Sequence, residues 1–192
     1  MTSLRHNPDA TREPRDAYLD AARDCILDVG WRRTTLTEVA RRAGVSRMTI
    51  YRSWPDMPQL LSDLMTREGT AIVTASDPQA PLIDRIIGAV RAIRDNELFV
   101  RIVELDPELL LPYLLNRRGR SQDLIIELIE GAVREGQAEG TVRRGNPTAM
   151  ARALVLAAHG FVISGHTMVD DEVSEDDLYD EARLLISRVL AP

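Results

Sequence analysis

Apolar residues recur at spacings of three and four along most of the chain. Tyr18, Ala22, Cys25, Ile26 and Val29 form one such stripe, closed by Gly30, and predict a first helix over residues 13–29. Thr35-Leu36-Thr37-Glu38 has the form of a capping box, in which the Thr35 hydroxyl accepts from the Glu38 amide while the carboxylate reaches back to the Thr35 amide. A second helix therefore starts there, with Leu36, Val39, Ala40 and Ala43 as its apolar side and Gly44 as its left-handed stop. Ser46 is the next N-cap, and a short third helix runs from Arg47 to Ser53. Trp54-Pro55 closes it, because proline disfavours helical geometry at the residue before it. Asp56 reopens a helix with Pro58 in its first turn. Longer helices follow, broken near Ser76-Asp77-Pro78, Pro107, Gly119, Gly140 to Pro147, and Val169 to Ser174. No alternating run of β-branched residues marks a strand, so the fold class is all-α.

Composition narrows this picture. With 44% hydrophobic residues over 192 positions the chain can fill a core, which excludes a disordered or fibrous protein. The single Cys25 allows no internal disulfide and no zinc-ligand pair, so nothing ties the chain to an oxidising compartment and the expected location is cytoplasmic. No apolar run resembles a signal peptide or reaches the roughly 18 residues of a membrane span, and no membrane partner is expected. Residues 1–12 read as a mobile tail. All 24 basic residues are arginine, and the net charge is -6. Residues 1–56 hold 10 arginines against 8 acids, whereas residues 57–192 hold 14 against 22. Between Val29 and Trp54 lie Arg32, Arg33, Arg41, Arg42, Arg47 and Arg52 with Glu38 as the one acid, a local patch suited to a polyanion.

The segment TLTEVARRAGVSRMTIYRSW, residues 35–54, has the spacing of a helix-turn-helix. Ala40 is small where the second helix crosses the first, Gly44 makes the turn, and Val45 with Ile50 pins the pair to its core. The outer side of the second helix then presents Arg47, Met48, Thr49, Tyr51 and Arg52, which carry donors for phosphates and base edges and methyl groups for thymine. Ser46, which caps that helix, belongs to the same surface. The alternative is a hairpin that only packs.

The stretch TTLTEVARRAGVSRMTIYRSWPDMPQL resembles the N-terminal signature of the TetR family of transcriptional regulators. The resemblance implies a three-helix DNA-binding domain over residues 13–56 and a larger helical ligand-binding and dimerisation domain over residues 57–192. It implies a homodimer that binds a palindromic double-stranded operator as a repressor and is released by a small apolar or amphipathic effector. By position, Thr35 and Thr37 would touch the sugar-phosphate backbone, and Arg47, Met48 and Thr49 would face the bases. Tyr51 would hold a phosphate, and Arg52 and Ser53 would be within reach of backbone or base. Two departures stand out. Met48 occupies a position where the family often has glycine or alanine, and the family's phosphate-binding lysine near Met57 is missing. The amides at the start of the fourth helix, together with Arg32, Arg33, Arg41 and Arg42, offer substitutes. Arg41 and Arg42 read equally as a solvated face.

Further along, Ala149, Ala153, Ala157, Gly160 and Ser164 place only small side chains on one helix face. Leu178, Ala182, Leu185 and Val189 make a second stripe on the last helix, broadened by Ile186 and Leu190. These two helices are the expected homodimer interface, with packing inside one subunit as the alternative. Candidate effector-binding residues are Leu64, Met65, Phe99, Tyr113, His159 and Phe161, each of which also reads as plain core. His159 and His166 lack a suitably spaced carboxylate, so no metal and no cofactor is expected. No phosphate-cradling glycine loop, nucleophile elbow or H-E-x-x-H helix points to an enzyme. The alternative function is a helical ligand-binding or interaction protein without specific DNA binding.

Overall fold

The helices begin and end where local chemistry supplies or removes backbone partners. The computed structural model describes residues 13–192, so the tail expected over residues 1–12 lies outside it. Among the described residues there are ten α-helices, a few short 3-10 turns and no strand. They are α1 (Pro14–Val29), α2 (Leu36–Arg42), α3 (Arg47–Ser53), α4 (Met57–Ala75), α5 (Leu82–Arg94), α6 (Glu97–Leu105), α7 (Leu111–Leu115), α8 (Arg120–Glu139), α9 (Pro147–Ser164) and α10 (Glu175–Leu190). One break escaped the sequence reading. Between α5 and α6 the chain turns at Asp95 without glycine or proline, and Asn96 restarts it by accepting the Phe99 amide at 3.0 Å. Asn146 caps α9 on the Ala149 amide, and Ser174 and Asp177 form a reciprocal capping box on α10.

The chain divides into two compact units, one ending at Leu64 and the other starting at Met65, a boundary that falls within α4. In the first unit, Leu19, Ala22, Cys25 and Ile26 of α1, Leu36, Val39 and Ala40 of α2, and Ile50 of α3 are buried. Burial pushes the Cys25 thiol up, which keeps it protonated and unreactive. Trp54, just past α3, is almost fully buried, and its indole donates to Asp63 on α4 at 2.8 Å. Arg15 of α1 pairs with the same carboxylate and lies over the Trp54 ring at 4.8 Å.

The second unit is built on α5, α8, α9 and α10. Ile86, Ile87 and Val90 of α5 share one core with Ile126, Ile129 and Val133 of α8 and with Met150, Leu154 and Val155 of α9. Close approach is enforced at Gly136, where an added Cβ would lie 2.5 Å from a Val142 methyl. By length and composition the stretch Pro147–Met168 could cross a membrane. Here it is a packed helix, with Met150, Ala151, Leu154, Val155 and Val162 buried in the core. The stripe expected on α10 divides. Ala182, Ile186 and Leu190, joined by Tyr179, face the core of their own unit, whereas Leu185 and Val189 stay exposed. The two sets lie on different sides of one helix, which hydrophobic spacing alone does not separate.

Candidate nucleic-acid interface

The turn between α2 and α3 rests on backbone geometry. Thr35 holds the start of α2 by accepting the Glu38 amide at 3.2 Å. The reciprocal half of the expected capping box is replaced, because the Glu38 carboxylate takes a two-pronged contact from Arg41 at 2.6 and 3.0 Å instead. That contact is charge-assisted on both prongs, which a neutral backbone amide is not. At the end of α2, Val45 donates to the Ala40 carbonyl at 3.0 Å and Gly44 stands at φ 68°, the geometry of a Schellman stop. An added Cβ on Gly44 would meet nothing within 4 Å, so the glycine is there for its φ and not for space. Ser46 then opens α3 by accepting the Thr49 amide at 3.2 Å, and its hydroxyl lies 2.9 Å from that of Thr49.

With Ile50 fully buried as its anchor, α3 turns Arg47, Met48, Tyr51 and Arg52 outward. Met48 is 64% exposed. Thr49 and Ser53 are half-buried, and the Ser53 hydroxyl donates back to the Thr49 carbonyl at 3.4 Å. Thr35 and Thr37 at the start of α2 are exposed.

Charge on this face is unevenly available. Arg41 is tied to Glu38, whose carboxyl the guanidinium holds below its usual range, and Arg42 is tied to Asp28 of α1. Arg33, Arg47 and Arg52 are exposed and form no ion pair among the described residues. The start of α4 is also spoken for. Asp56 accepts the Gln59 amide at 2.8 Å, and Pro58 has no amide to offer, so this carboxylate sits where the sequence reading placed a phosphate. A fixed negative charge there opposes an anion.

The second unit holds a cavity of about 100 Å³. Its walls come from Val73 and Ser76 at the end of α4, from α5 between Leu82 and Ile93, from Ile125, Leu128 and Ile129 of α8, and from Val155, Ala158, His159 and Val162 of α9. His159 is the polar group on the α9 side. Burial holds its ring below the ordinary imidazole range, and Gln122 Nε2 donates to its Nε2 at 3.3 Å.

Residues 19–64 match the model of a family described as bacterial regulatory proteins, tetR family. An uncharacterised HTH-type transcriptional regulator of Mycobacterium bovis is 31% identical over 170 residues, which span 86% of this chain and 85% of that one. The chain belongs to the TetR family. Among solved structures, the Rhodococcus erythropolis TetR-family repressor QsdR superposes with a TM-score of 0.64 at 16% identity, covering 92% of this chain and 94% of that one. NalD of Pseudomonas aeruginosa, the secondary repressor of the MexAB-OprM multidrug efflux pump, does so with a TM-score of 0.55 at 22% identity, covering 93% and 96%. These likenesses show the fold.

This TetR-family protein is thus a DNA-binding transcriptional regulator with a helix-turn-helix. The candidate interface residues lie on α2 and α3 and at their N-caps. The six candidate effector residues do not all line the cavity. Leu64 is fully buried in the first unit, and Met65 is half-buried at the start of the second. Phe99 and Phe161 pack against the core of the second unit, and Tyr113 lies under the Arg117 guanidinium at 5.2 Å. His159 alone of the six lines the cavity. His166 is exposed in the 3-10 turn after α9, and among the described residues no cluster of three or more His, Cys, Asp or Glu could hold a metal. Arg85, also in the cavity wall, went unnoticed. Its signal was an arginine in phase with Leu82, Ile86, Ala89 and Ile93, on the apolar face of α5.

Proposed function

We propose that this TetR-family regulator represses transcription as a homodimer on a palindromic operator in the cytoplasm, and is released when a small apolar or amphipathic molecule enters the cavity of the second unit. The carrying observation is the outer face of α3, where Arg47, Met48, Tyr51 and Arg52 are exposed while Ile50 anchors the helix from behind. In this reading Arg47, Met48 and Thr49 read bases, and Tyr51, Thr35 and Thr37 hold phosphates. Arg52 and Ser46 complete the contact surface. One short helix touches too few base pairs to select a site, and a second copy about 34 Å away, one helical turn of DNA, doubles the contacts.

The dimer face in this proposal combines α9 and α10. Ala149, Ala153, Ala157, Gly160 and Ser164 are all exposed, as are Leu156 at 71%, Leu185 at 59% and Val189 at 42%. Small side chains let two helices approach closely, and the exposed leucines supply apolar area. Repression is supported by QsdR and NalD, both repressors with this fold. The effector needs only a higher affinity for the form that does not bind DNA, since that difference alone shifts the population.

A mobility-shift titration against the DNA flanking the gene tests the proposal. A selective shift that weakens by about 10³ to 10⁵ between roughly 50 and 200 mM salt, as neutralising about 6 to 10 phosphates requires, supports it. Absence of a selective shift at any salt would establish the alternative, an interaction protein without specific DNA binding.

A further inference from the structure

The cavity of the second unit has one formal charge in its wall, and no described residue of that wall balances it. None of the residues lining it is acidic, and Arg85 stands in its α5 wall among Leu82, Ile86 and Ala89. Arg85 Nε is shut off from solvent and has no hydrogen-bond partner among the described residues. The neighbouring carboxylate is not available to it, because Asp84 is paired with Arg183 of α10. A guanidinium does not discharge itself by losing its proton, and although Arg85 as a whole is half-buried, its enclosed Nε–H is left as a donor that an anion in the cavity would satisfy. The α8 and α9 walls are mainly hydrocarbon, with Leu128 and Ile129 of α8 and Val155 and Val162 of α9, and His159 is the polar group among them.

We infer that the effector is an amphiphile with a carboxylate head and a short hydrocarbon body, the head held by Arg85 and the body lying against α8 and α9. This assignment rests on the proposed role of the cavity as the effector site and adds the chemical class that the site selects. The Nε edge of a guanidinium presents two parallel donors at the spacing of a carboxylate, which gives a two-point contact stronger than one to a neutral hydroxyl. Volume sets the body. An apolar cavity of roughly 150 Å³ accepts benzene, so the present cavity of about 100 Å³ suits a chain of comparable or smaller bulk.

Calorimetric titration of the full-length protein with straight-chain carboxylates from butanoate to hexanoate, and with the alcohols of matching length, tests this. At neutral pH each acid is expected to bind at least about tenfold more tightly than its alcohol, the factor a charge-assisted hydrogen bond contributes. Arg85→Met keeps the bulk and removes the charge. It is expected to abolish the preference while leaving alcohol binding in place, and its circular dichroism and melting temperature verify the fold, since no ion pair among the described residues is lost with the half-buried Arg85 side chain. Ile129→Trp fills the cavity and is expected to remove binding of both series. Equal affinity for acid and alcohol in the unmodified protein, or an acid preference that survives Arg85→Met, overturns the head-group assignment and leaves the cavity reading standing. If neither series binds while the protein still shifts DNA, the cavity reading fails, and the head-group assignment with it.

Discussion

Helices α2 and α3 are each seven residues long, carry two arginines and lie in one patch of sequence, yet they offer DNA different things. On α2, Arg41 and Arg42 are spent on Glu38 and Asp28. On α3, Arg47 and Arg52 have no ionic partner among the described residues. Counting charge along the chain treats the four alike. The folded molecule separates them into a pair that brace the first unit and a pair that remain to be neutralised by something outside it, and only the second pair gains a new counterion on binding.

Removing a free arginine should therefore cost most. Arg47→Ala is expected to weaken operator binding by about 1–3 kcal/mol and to relax selectivity at particular base pairs, whereas Tyr51→Phe should weaken every sequence alike by less. Competition titrations over a set of single-base operator variants check this, and an equal loss on all of them for Arg47→Ala would remove its base-reading role. Next in size, Gly44→Ala forces a Cβ into the left-handed region and should cost about 1–2 kcal/mol of stability, with Gly44→Asn milder because asparagine tolerates that conformation. Urea unfolding of the variants measures it. A loss no larger than at an ordinary helix-end position would show that the φ of Gly44 does not hold α2 and α3 in register.

Smaller effects probe the braced pair. Arg42→Ala should change DNA affinity by less than about threefold, within the range of a surface ion pair, and Glu38→Gln should tighten it slightly at low salt by freeing Arg41. If Arg42→Ala instead matches Arg47→Ala, the contrast between the two helices is wrong. The smallest effect is one of pH. Arg41 holds the Glu38 carboxyl below its ordinary 4.5, so its stabilising contribution is complete above that value and is lost as the solution is acidified through the lowered one. Stability curves of the unmodified protein and Glu38→Gln should differ at neutral pH and converge in acid. A difference that persists in strong acid would mean the pair is not the cause.

What could be read from the chain was local. Gly44, Ser46, Trp54-Pro55 and the Thr35 cap are written within three or four residues of the groups they satisfy, so the turn and the exposed face of α3 followed from spacing. Arg42 with Asp28 is a contact across fourteen positions, which no periodicity encodes. The α10 stripe could not be apportioned between its own unit and a partner, because both faces are apolar. The cavity was least legible. It exists where α5, α8 and α9 leave space unfilled, and the residues around such a space, Ile129 or Val155, look like any others in a core. Phe99 and Phe161, aromatic residues that read equally as core, pack against that core.

The chain's two tryptophans, Trp31 and Trp54, both fall in the first unit. Tryptophan fluorescence, excited selectively over tyrosine, is accordingly a private channel for the first unit. The indole of Trp54, enclosed and hydrogen-bonded to Asp63, should emit toward the blue and shift red when that half opens. Events confined to the other half reach this signal only if they are transmitted, so emission recorded during effector titration observes communication itself.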